Sequence, residues 1–414
     1  MILKGLLALL TILIVGVAII GYTPLPEGIH DPYRTQVLMG MFKIFNFVHK
    51  VREYLGYGKF LNTVRTFQGK FTLEGDPSSA KYGDIQVKRD RIANVPVIIY
   101  RPSTAAELSP AFVYFHGGGW VLGTADDMDG VAYHFAKATN TVVFNVDYRR
   151  PPDFPFPVPV QDCLEVTRYI LRHGNKYGVD VNKVGVGGES AGGNLAAAVA
   201  LSISKEKSDL PPLKFQVLTY PALQAFDLRL PSYVDNNTTM PILSARVMAG
   251  FYSLYMGLDE NKTDNYATII SENRHLSPQI RESKFSDYVN VKLLPKMFRA
   301  PNKTASEVTA PFDVNVFSKI KHIVTNPLFS PLMSSDLTGL PPTFIHACEF
   351  DVLRDDALLY SKRLQDAGVR VKMHYGHGGF HGDTLRFFND FMWVQSGRVG
   401  FTSSTDFIKS VLRN

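Results

Sequence analysis

A single turn around Ser190 constrains the fold of this chain more than any other feature. Residues 188–192 read Gly-Glu-Ser-Ala-Gly, between an apolar run at 184–187 and an alanine-rich, helix-forming run at 194–200. The flanking glycines permit the strained backbone of a tight strand-to-helix turn, and the start of the following helix directs backbone amides at the serine. The pattern predicts that the Ser190 hydroxyl stands clear of a sheet, where a neighbouring base could activate it as a nucleophile.

Strand-like and helix-like segments alternate from about residue 84 onward. The strand-like segments are mostly apolar, as buried parallel strands are, and cover 95–100, 112–115, 142–146, 184–187, 215–219, 343–348 and 369–375. Helical patterns lie at roughly 130–139, 160–173, 191–204 and 355–367. The alternation predicts an α/β fold with a mostly parallel central sheet. We therefore expect one catalytic domain over 84–414, with residues 225–335 as an insertion above the sheet.

The amino terminus predicts a membrane anchor. Residues 5–22 are uncharged and almost wholly apolar, and a helix of that length can cross a bilayer. Lys4 precedes the run and acidic residues follow it before Arg34, so the positive-inside tendency keeps the amino terminus cytoplasmic and translocates the rest. A cleaved signal peptide is the alternative, but Gly-Val-Ala at 16–18 is a poor cleavage site. We expect an uncleaved transmembrane signal-anchor helix within residues 1–22.

Residues 23–83 are expected to form a juxtamembrane or cap region. Apolar side chains recur at helical spacing over 33–60 and predict an amphipathic helix. Such a helix could pack on the catalytic domain, or it could act as a lid or lie at the membrane surface with Phe42, Phe45 and Phe47 toward lipid. The two interpretations are compatible with each other.

Four asparagines begin sequons for N-glycosylation, which fits a secretory lumen: Asn236, Asn237, Asn261 and Asn302. The net charge of +6 is mild, and the basic residues are scattered without any zinc-finger spacing, which argues against nucleic-acid binding. The two cysteines, Cys163 and Cys348, allow one disulfide at most. No obligate protein partner is implied.

Residues 116–120, His-Gly-Gly-Gly-Trp, follow the strand-like segment 112–115 directly. Three successive glycines leave the backbone amides uncovered. Two of these amides, together with the amide of Ala191, could stabilise an oxyanion that develops near Ser190.

An acid that orients the base is expected after the strand at 343–348. Asp351 lies just past that strand, where a parallel sheet presents side chains at its carboxyl edge. Glu349 is closer to the strand itself. Asp355 and Asp356 open the next helix and are better explained as N-cap and first-turn acids. The sequence therefore favours Asp351.

Two histidines are candidates for the general base. Residues 374–383 read His-Tyr-Gly-His-Gly-Gly-Phe-His-Gly-Asp, and we place His377 and His381 on a glycine-rich loop after the last strand. The base must reach Ser190 and be held by Asp351, and spacing alone does not separate the two histidines. The order of serine, acid and histidine along the chain is the one expected of an α/β-hydrolase.

Four motifs carry a family resemblance: His-Gly-Gly-Gly at 116–119, Asp-Tyr-Arg at 147–149, Gly-Glu-Ser-Ala-Gly-Gly at 188–193 and Asp-Val-Leu-Arg-Asp-Asp at 351–356. Through them the chain resembles the hormone-sensitive-lipase-like branch of the α/β-hydrolases. It looks closest to the vertebrate arylacetamide deacetylase and neutral cholesterol ester hydrolase group, through the apolar amino terminus ending in Tyr-Thr-Pro-Leu-Pro, residues 220–233 and Gly-Phe-His-Gly at 379–382.

The resemblance implies an α/β-hydrolase fold with helical cap elements. It also implies a single-pass type II membrane protein of the endoplasmic reticulum, with its esterase domain in the lumen. It places the base at His381 rather than His377. The oxyanion-hole donors it implies are amides among Gly117, Gly118 and Gly119, together with that of Ala191.

Three positions depart from the family pattern. Residues 150–152 read Arg-Pro-Pro where relatives usually have Leu-Ala-Pro, a change close to the site. Val121 stands where deacetylase-type members carry a cysteine that can pair with the counterpart of Cys348, so that disulfide is not expected here. Glu189 replaces the commoner aspartate before the serine and lengthens the carboxylate side chain.

Together these features predict a serine esterase that uses Ser190, His381 and Asp351 and needs no metal or organic cofactor. The expected substrates are small apolar esters and amides of the arylacetamide type, sterol or ether-lipid esters, or acylglycerols; the sequence does not rank them. A non-catalytic receptor or adhesion module on the same fold is the alternative. Such proteins usually lack a member of the triad, whereas this chain keeps all three residues.

Overall fold

The computed structural model describes residues 11, 15–56, 83–385 and 393–413. Its strands are β1 (Ile85–Ile92), β2 (Val95–Pro102), β3 (Ser109–Phe115), β4 (Val142–Val146), β5 (Val179–Glu189), β6 (Phe215–Thr219), β7 (Thr343–Phe350) and β8 (Val371–Phe380). They form one sheet in the order β1-β2-β4-β3-β5-β6-β7-β8. The β1–β2 and β2–β4 pairs are antiparallel, and every pair from β4 to β8 is parallel. The predicted mostly parallel α/β sheet is confirmed.

Helices cover both faces of this sheet. They are α1 (Pro32–Tyr54), α2 (Asp129–Thr139), α3 (Val158–His173), α4 (Ala191–Lys205), α5 (Pro231–Asp235), α6 (Ala245–Tyr255), α7 (Thr263–Ser271), α8 (Pro278–Arg281), α9 (Phe285–Tyr288), α10 (Val314–Val324), α11 (Arg354–Asp366) and α12 (Gln395–Arg413). Side chains alternate along β3: Val113 and Phe115 pack with α3, α4 and α11, whereas Phe112 and Tyr114 pack with α2 and α12. The sheet therefore lies between two apolar layers.

The inserted residues 225–335 carry helices α5 to α10. Their buried side chains, such as Met248, Ile270 and Ile320, belong to the same apolar cluster as Leu195 of α4. The insertion thus shares a core with the sheet and lies on one of its faces.

Three elements differ from the sequence prediction. Strand β1 was not predicted, because it is an edge strand that reads Ile-Gln-Val-Lys-Arg-Asp-Arg-Ile and has few apolar positions to bury. Helix α12 was not predicted either, although Phe407, Ile408 and Val411 mark its buried face. Strand β8 continues to Phe380, so His377 lies on a strand and not on a loop.

The amino-terminal part is described incompletely. Residues 15–21 are helical, and α1 ends at Tyr54, which makes it shorter than the helix predicted over 33–60. No helix in the described part of the chain has both the length and the apolar character required to cross a bilayer. Residues 1–10 and 12–14 of the predicted anchor lie outside the described residues, as do 57–82 of the predicted cap region.

Candidate active site

The turn around Ser190 connects β5 to α4 and is held by both neighbouring strands. The φ angle of Ser190 is 56°, in the left-handed region that side chains other than glycine rarely adopt. A Cβ on Gly188 or Gly192 would lie 2.1 or 1.9 Å from the carbonyl oxygen of Phe115 at the end of β3. The Ser190 amide donates a hydrogen bond of 2.9 Å to the carbonyl of Thr219 at the end of β6. Only glycine fits at positions 188 and 192.

The structure brings Ser190, His381 and Asp351 together as one array, which we call the Ser–His–Asp array. The distance from His381 Nε2 to Ser190 Oγ is 3.0 Å, and that from His381 Nδ1 to Asp351 Oδ2 is 2.8 Å. A carboxylate only accepts, so Nδ1 carries the proton and Nε2 is free to accept from the serine. The other Asp351 oxygen accepts from the amide of Leu353 at 2.9 Å. The three side chains come from the carboxyl ends of β5, β7 and β8.

His377, the other candidate base, lies elsewhere. Its side chain is 74% exposed, and its Nδ1 atom is 3.8 Å from Glu349 Oε2. Glu349 also accepts a hydrogen bond of 2.8 Å from the amide of Gly378. This acid therefore supports the β8 backbone and does not orient the base next to Ser190.

Asp355 and Asp356 lie in the first turn of α11, as predicted, but neither is its N-cap, and both are buried. Asp355 accepts from the amide of Ser232 at 2.7 Å. Asp356 accepts from the amide of Leu223 at 3.0 Å and from the side chain of Gln224 at 2.9 Å. Burial raises the pKa of both carboxyls. These acids attach the segment after β6 to α11, a role that the sequence did not indicate.

The four predicted oxyanion donors differ in whether their amides are already hydrogen-bonded. The amide of Gly117 donates to a carboxylate oxygen of Glu189 and is therefore committed. Gly118 and Gly119 have φ angles of 106° and 61°, which favour glycine. Within the described residues, no hydrogen-bond acceptor faces the amides of Gly118, Gly119 or Ala191. These three amides remain available to an oxyanion.

Aromatic side chains shield the array. A Cβ on Gly119 would lie 2.4 Å from the ring of Phe251 on α6, so this inserted helix covers the glycine loop. The ring of Tyr220 packs 4.8 Å from that of His381, centroid to centroid. Ser190 and His381 are each only 8% exposed. Aromatic rings therefore cover the glycine loop and the base.

Glu189 is a second buried acid beside the nucleophile, and its partners could not be read from the sequence. One carboxylate oxygen accepts from the Gly117 amide and the other from the Tyr114 hydroxyl. Burial raises the pKa of Glu189 to about 7, against the two hydrogen bonds, which lower it. Glu189 therefore connects the serine turn to the glycine loop and fixes the direction of that loop.

The raised pKa of Glu189 predicts a pH dependence of stability. Between about pH 4.5 and pH 7 the folded protein retains a proton that the unfolded chain has lost, so the free energy of unfolding falls as pH rises. The fall amounts to about 3 kcal/mol, from a shift of between two and three pKa units. In Glu189→Gln this contribution should vanish, because the amide does not titrate, while its oxygen can still accept from the Gly117 amide and its nitrogen can donate to the Tyr114 hydroxyl. Denaturant unfolding from pH 4 to 8 measures the difference.

The control for this experiment is Glu165→Gln, which neutralises an exposed acid paired with Arg168. Its unfolding profile should follow the parent profile. If Glu189→Gln and the parent lose stability in parallel between pH 4.5 and 7, the proton is not held on Glu189.

The unusual Arg150 lies beside the glycine loop and away from the nucleophile. Its guanidinium bonds Asp147 Oδ1 at 2.6 Å. Both residues line a cavity of about 910 Å³ together with Val121, and no member of the Ser–His–Asp array lines it. Cys163 and Cys348 are buried and free, so no disulfide joins them.

One of the predicted glycosylation sites is buried in the folded chain. Asn236 is 5% exposed, and its amide donates to the carbonyls of Glu349 and Asp351 at 3.1 and 2.9 Å. It supports the loop that bears the orienting acid and is a poor glycan acceptor once the chain has folded. The exposed sequon residues are Asn237, Asn261 and Asn302.

Comparison with known proteins agrees with this geometry. The family model described as the alpha/beta hydrolase fold matches residues 112–280 and 303–385. Arylacetamide deacetylase of Bos taurus is 32% identical, over 97% of this chain and 98% of its own. Neutral cholesterol ester hydrolase 1 of Bos taurus is also 32% identical, over 98% of each chain. The solved hyperthermophilic esterase from the archeon Pyrobaculum calidifontis has a TM-score of 0.62 and 25% identity, covering 89% of this chain and 98% of that chain. This chain therefore belongs to the arylacetamide deacetylase and neutral cholesterol ester hydrolase group of the α/β-hydrolases.

Proposed function

We propose that this hydrolase is a serine esterase that cleaves carboxylic esters of apolar acids or alcohols, with arylacetamides as a second substrate class. The observation that carries the proposal is the Ser–His–Asp array, in which Ser190 Oγ, His381 and Asp351 are joined by contacts of 3.0 and 2.8 Å. A serine at a strained turn, a base in hydrogen-bond reach and an acid behind the base are the parts that acyl transfer requires.

The reaction follows from these contacts in two half-reactions. Ser190 Oγ attacks the carbonyl carbon while His381 Nε2 takes the hydroxyl proton, and Asp351 stabilises the resulting imidazolium. The amides of Gly118, Gly119 and Ala191 stabilise the oxyanion. Collapse expels the alcohol or amine, which receives the proton from His381. Water then attacks the acyl-enzyme by the same route and releases the acid.

The aromatic cover over the array favours apolar substrates. Phe251 packs on Gly119 and Tyr220 packs on His381. Contact between such rings and an apolar acyl or alkyl group removes apolar surface from water, which favours binding. Two relatives are named for arylacetamides and for cholesterol esters, and both groups are largely apolar. Acylglycerols are the third class that this environment fits.

A fluorophosphonate probe, which reacts with activated serines, tests the proposed chemistry. The chain should hydrolyse p-nitrophenyl butyrate and take up one equivalent of probe, and peptide mapping should place the label on Ser190. Ester hydrolysis that survives complete labelling of Ser190 would contradict the proposed nucleophile.

We further propose that residues 5–22 anchor the protein in the membrane of the endoplasmic reticulum, with the catalytic region in the lumen. The apolar run behind Lys4 supports the anchor. Helix α1 supports a membrane-facing orientation, because it buries Leu38 and Met39 in a cluster with Phe380, next to the base, and leaves apolar side chains outside. The exposed ones include Val37, Phe47, Val48 and Val51.

Alkaline carbonate extraction of cell membranes tests the anchor. The full chain should stay in the pellet, since a membrane-spanning helix withstands carbonate, whereas a variant without residues 1–22 should reach the supernatant. A glycosidase should increase the gel mobility of the full chain, and the triple variant Asn237→Gln, Asn261→Gln, Asn302→Gln should lack that shift. Release of the full chain by carbonate would favour a cleaved signal peptide over an anchor.

A further inference from the structure

Three potential metal ligands meet next to the turn that carries His381, and none of them takes part in the proposed reaction. His346 and Cys348 project from the same face of β7, and Asp383 follows His381 by two residues. The distance from Cys348 Sγ to His346 Nε2 is 3.4 Å. One ligand atom from each residue lies within 4.8 Å of the other two. We call these residues the His–Cys–Asp cluster.

All three side chains of the cluster are inaccessible to solvent. His346 and Cys348 are 0% exposed and Asp383 is 1% exposed. Neither carboxylate oxygen of Asp383 makes a hydrogen bond of normal geometry within the described residues, although Cys348 and Ser396 are its polar neighbours. Buried carboxylates are almost always paired, because an unpartnered one forfeits its hydration. The structure thus buries this carboxyl group without a hydrogen bond of normal geometry from the described residues.

Three glycines pack directly against the ligand residues. A Cβ on Gly376 would lie 2.8 Å from His346 Nε2, and a Cβ on Gly379 would lie 2.7 Å from an Asp383 carboxylate oxygen. On the other side, a Cβ on Gly400 of α12 would lie 2.3 Å from His346 Nδ1. Any larger residue at these positions would press on the cluster.

We propose that His346, Cys348 and Asp383 bind one zinc ion, through Nε2, Sγ and a carboxylate oxygen, with water as the fourth ligand. Thiolate and imidazole together favour zinc among the common divalent cations, and a tetrahedral zinc ion tolerates one carboxylate. The negative charges of one thiolate and one carboxylate together balance the two positive charges of the zinc ion. When zinc binds, the thiol proton of Cys348 and any carboxyl proton of Asp383 leave to solvent as the Zn–S and Zn–O bonds form, and no atom is oxidised or reduced.

The protonation of the cluster without a metal is compatible with this exchange. Burial raises the pKa of Asp383 to about 7 and that of Cys348 well above its ordinary value, and it lowers the pKa of His346 to about 3. The imidazole is therefore neutral and ready to ligate.

Zinc at this position would connect two parts of the proposed active site. Asp351 follows β7, which carries two ligands, and His381 lies on the same turn as the third ligand. The ion would fix the base relative to its orienting acid without taking part in the reaction. This proposal does not depend on ester hydrolysis, and its test does not use activity.

Cobalt(II), a spectroscopic substitute for zinc, provides the test on the full-length protein freed of metal by a chelator. One equivalent of Co²⁺ should produce visible tetrahedral d–d bands and a thiolate-to-cobalt charge-transfer band in the near ultraviolet. One equivalent of Zn²⁺ should remove these bands and raise the melting temperature. Absence of the charge-transfer band in the parent would overturn the site.

Matched variants locate the site. Cys348→Ala should lose the charge-transfer band, whereas Cys163→Ala, which removes the other buried free cysteine, should keep it. Asp383→Asn preserves shape and should lower the zinc affinity by at least about a hundredfold, since even outer-shell partners are worth roughly ten- to a hundredfold. If Cys163→Ala loses the band, or if Asp383→Asn folds and binds zinc as the parent does, the cluster is not the site.

Discussion

Replacement of Ser190 by alanine should abolish ester hydrolysis and leave the fold intact. Ser190 Oγ supplies the electron pair that forms the acyl-enzyme, and alanine has no atom to replace it. Loss of a serine nucleophile in such arrays costs several orders of magnitude in kcat, and water attack in the remaining oxyanion site gives only a small residual rate. The kcat for p-nitrophenyl butyrate should therefore fall to near the detection limit.

The folded state should tolerate this substitution. Alanine at a φ of 56° is strained much as serine is, and the backbone bonds that hold the turn do not involve the hydroxyl. Ser204→Ala is the matched control, because that serine lies on α4, the helix that follows Ser190, and among the described residues its hydroxyl donates to the carbonyl of Ala200. The control should keep its activity and its fluorophosphonate labelling. A Ser190→Ala protein with a tenth of the parent activity would refute the assignment.

The elements of the fold that depend on local sequence patterns were predictable. The strand-to-helix turn at Ser190 and the strands from β2 to β8 follow from apolar runs that are visible in the sequence itself. Strand β1 was not predictable in this way, since its polar residues acquire strand geometry only by pairing with β2. Tertiary pairing, not local propensity, determines such an edge.

The candidate site was predictable to the same extent. The position of Asp351 just after a parallel strand indicated its role as the orienting acid. The roles of the other buried acids did not follow from their positions in the sequence. Asp356 and Glu189 receive their roles from groups far along the chain, Gln224 and Tyr114. Likewise, the commitment of the Gly117 amide depends on the length of the Glu189 side chain. Contacts of this kind join residues that are far apart in the sequence, so they are visible only in the folded structure.

His381→Asn should lose at least about a thousandfold in kcat, and His377→Asn should stay within about tenfold of the parent. The base must accept the Ser190 proton on one nitrogen and donate to Asp351 from the other, and the two contacts of 3.0 and 2.8 Å are made by His381. Asparagine can occupy the space but cannot accept a proton in the transition state. A thousandfold loss corresponds to roughly 4 kcal/mol of barrier.

His377, which lies on β8 four residues before His381, provides the comparison for the His381 variant. Its side chain is 74% exposed, lies 3.8 Å from Glu349 and meets the Tyr375 ring edge-on, with 4.7 Å between centroids. Its replacement should therefore change the free energy of unfolding by less than about 1 kcal/mol. Both variants should be measured in the same detergent with the same soluble ester, over pH 5 to 9. Because a general base must be deprotonated to act, the acid limb of the parent profile should persist in His377→Asn. An inactive His377→Asn beside an active His381→Asn would move the base to His377, against the geometry of the array.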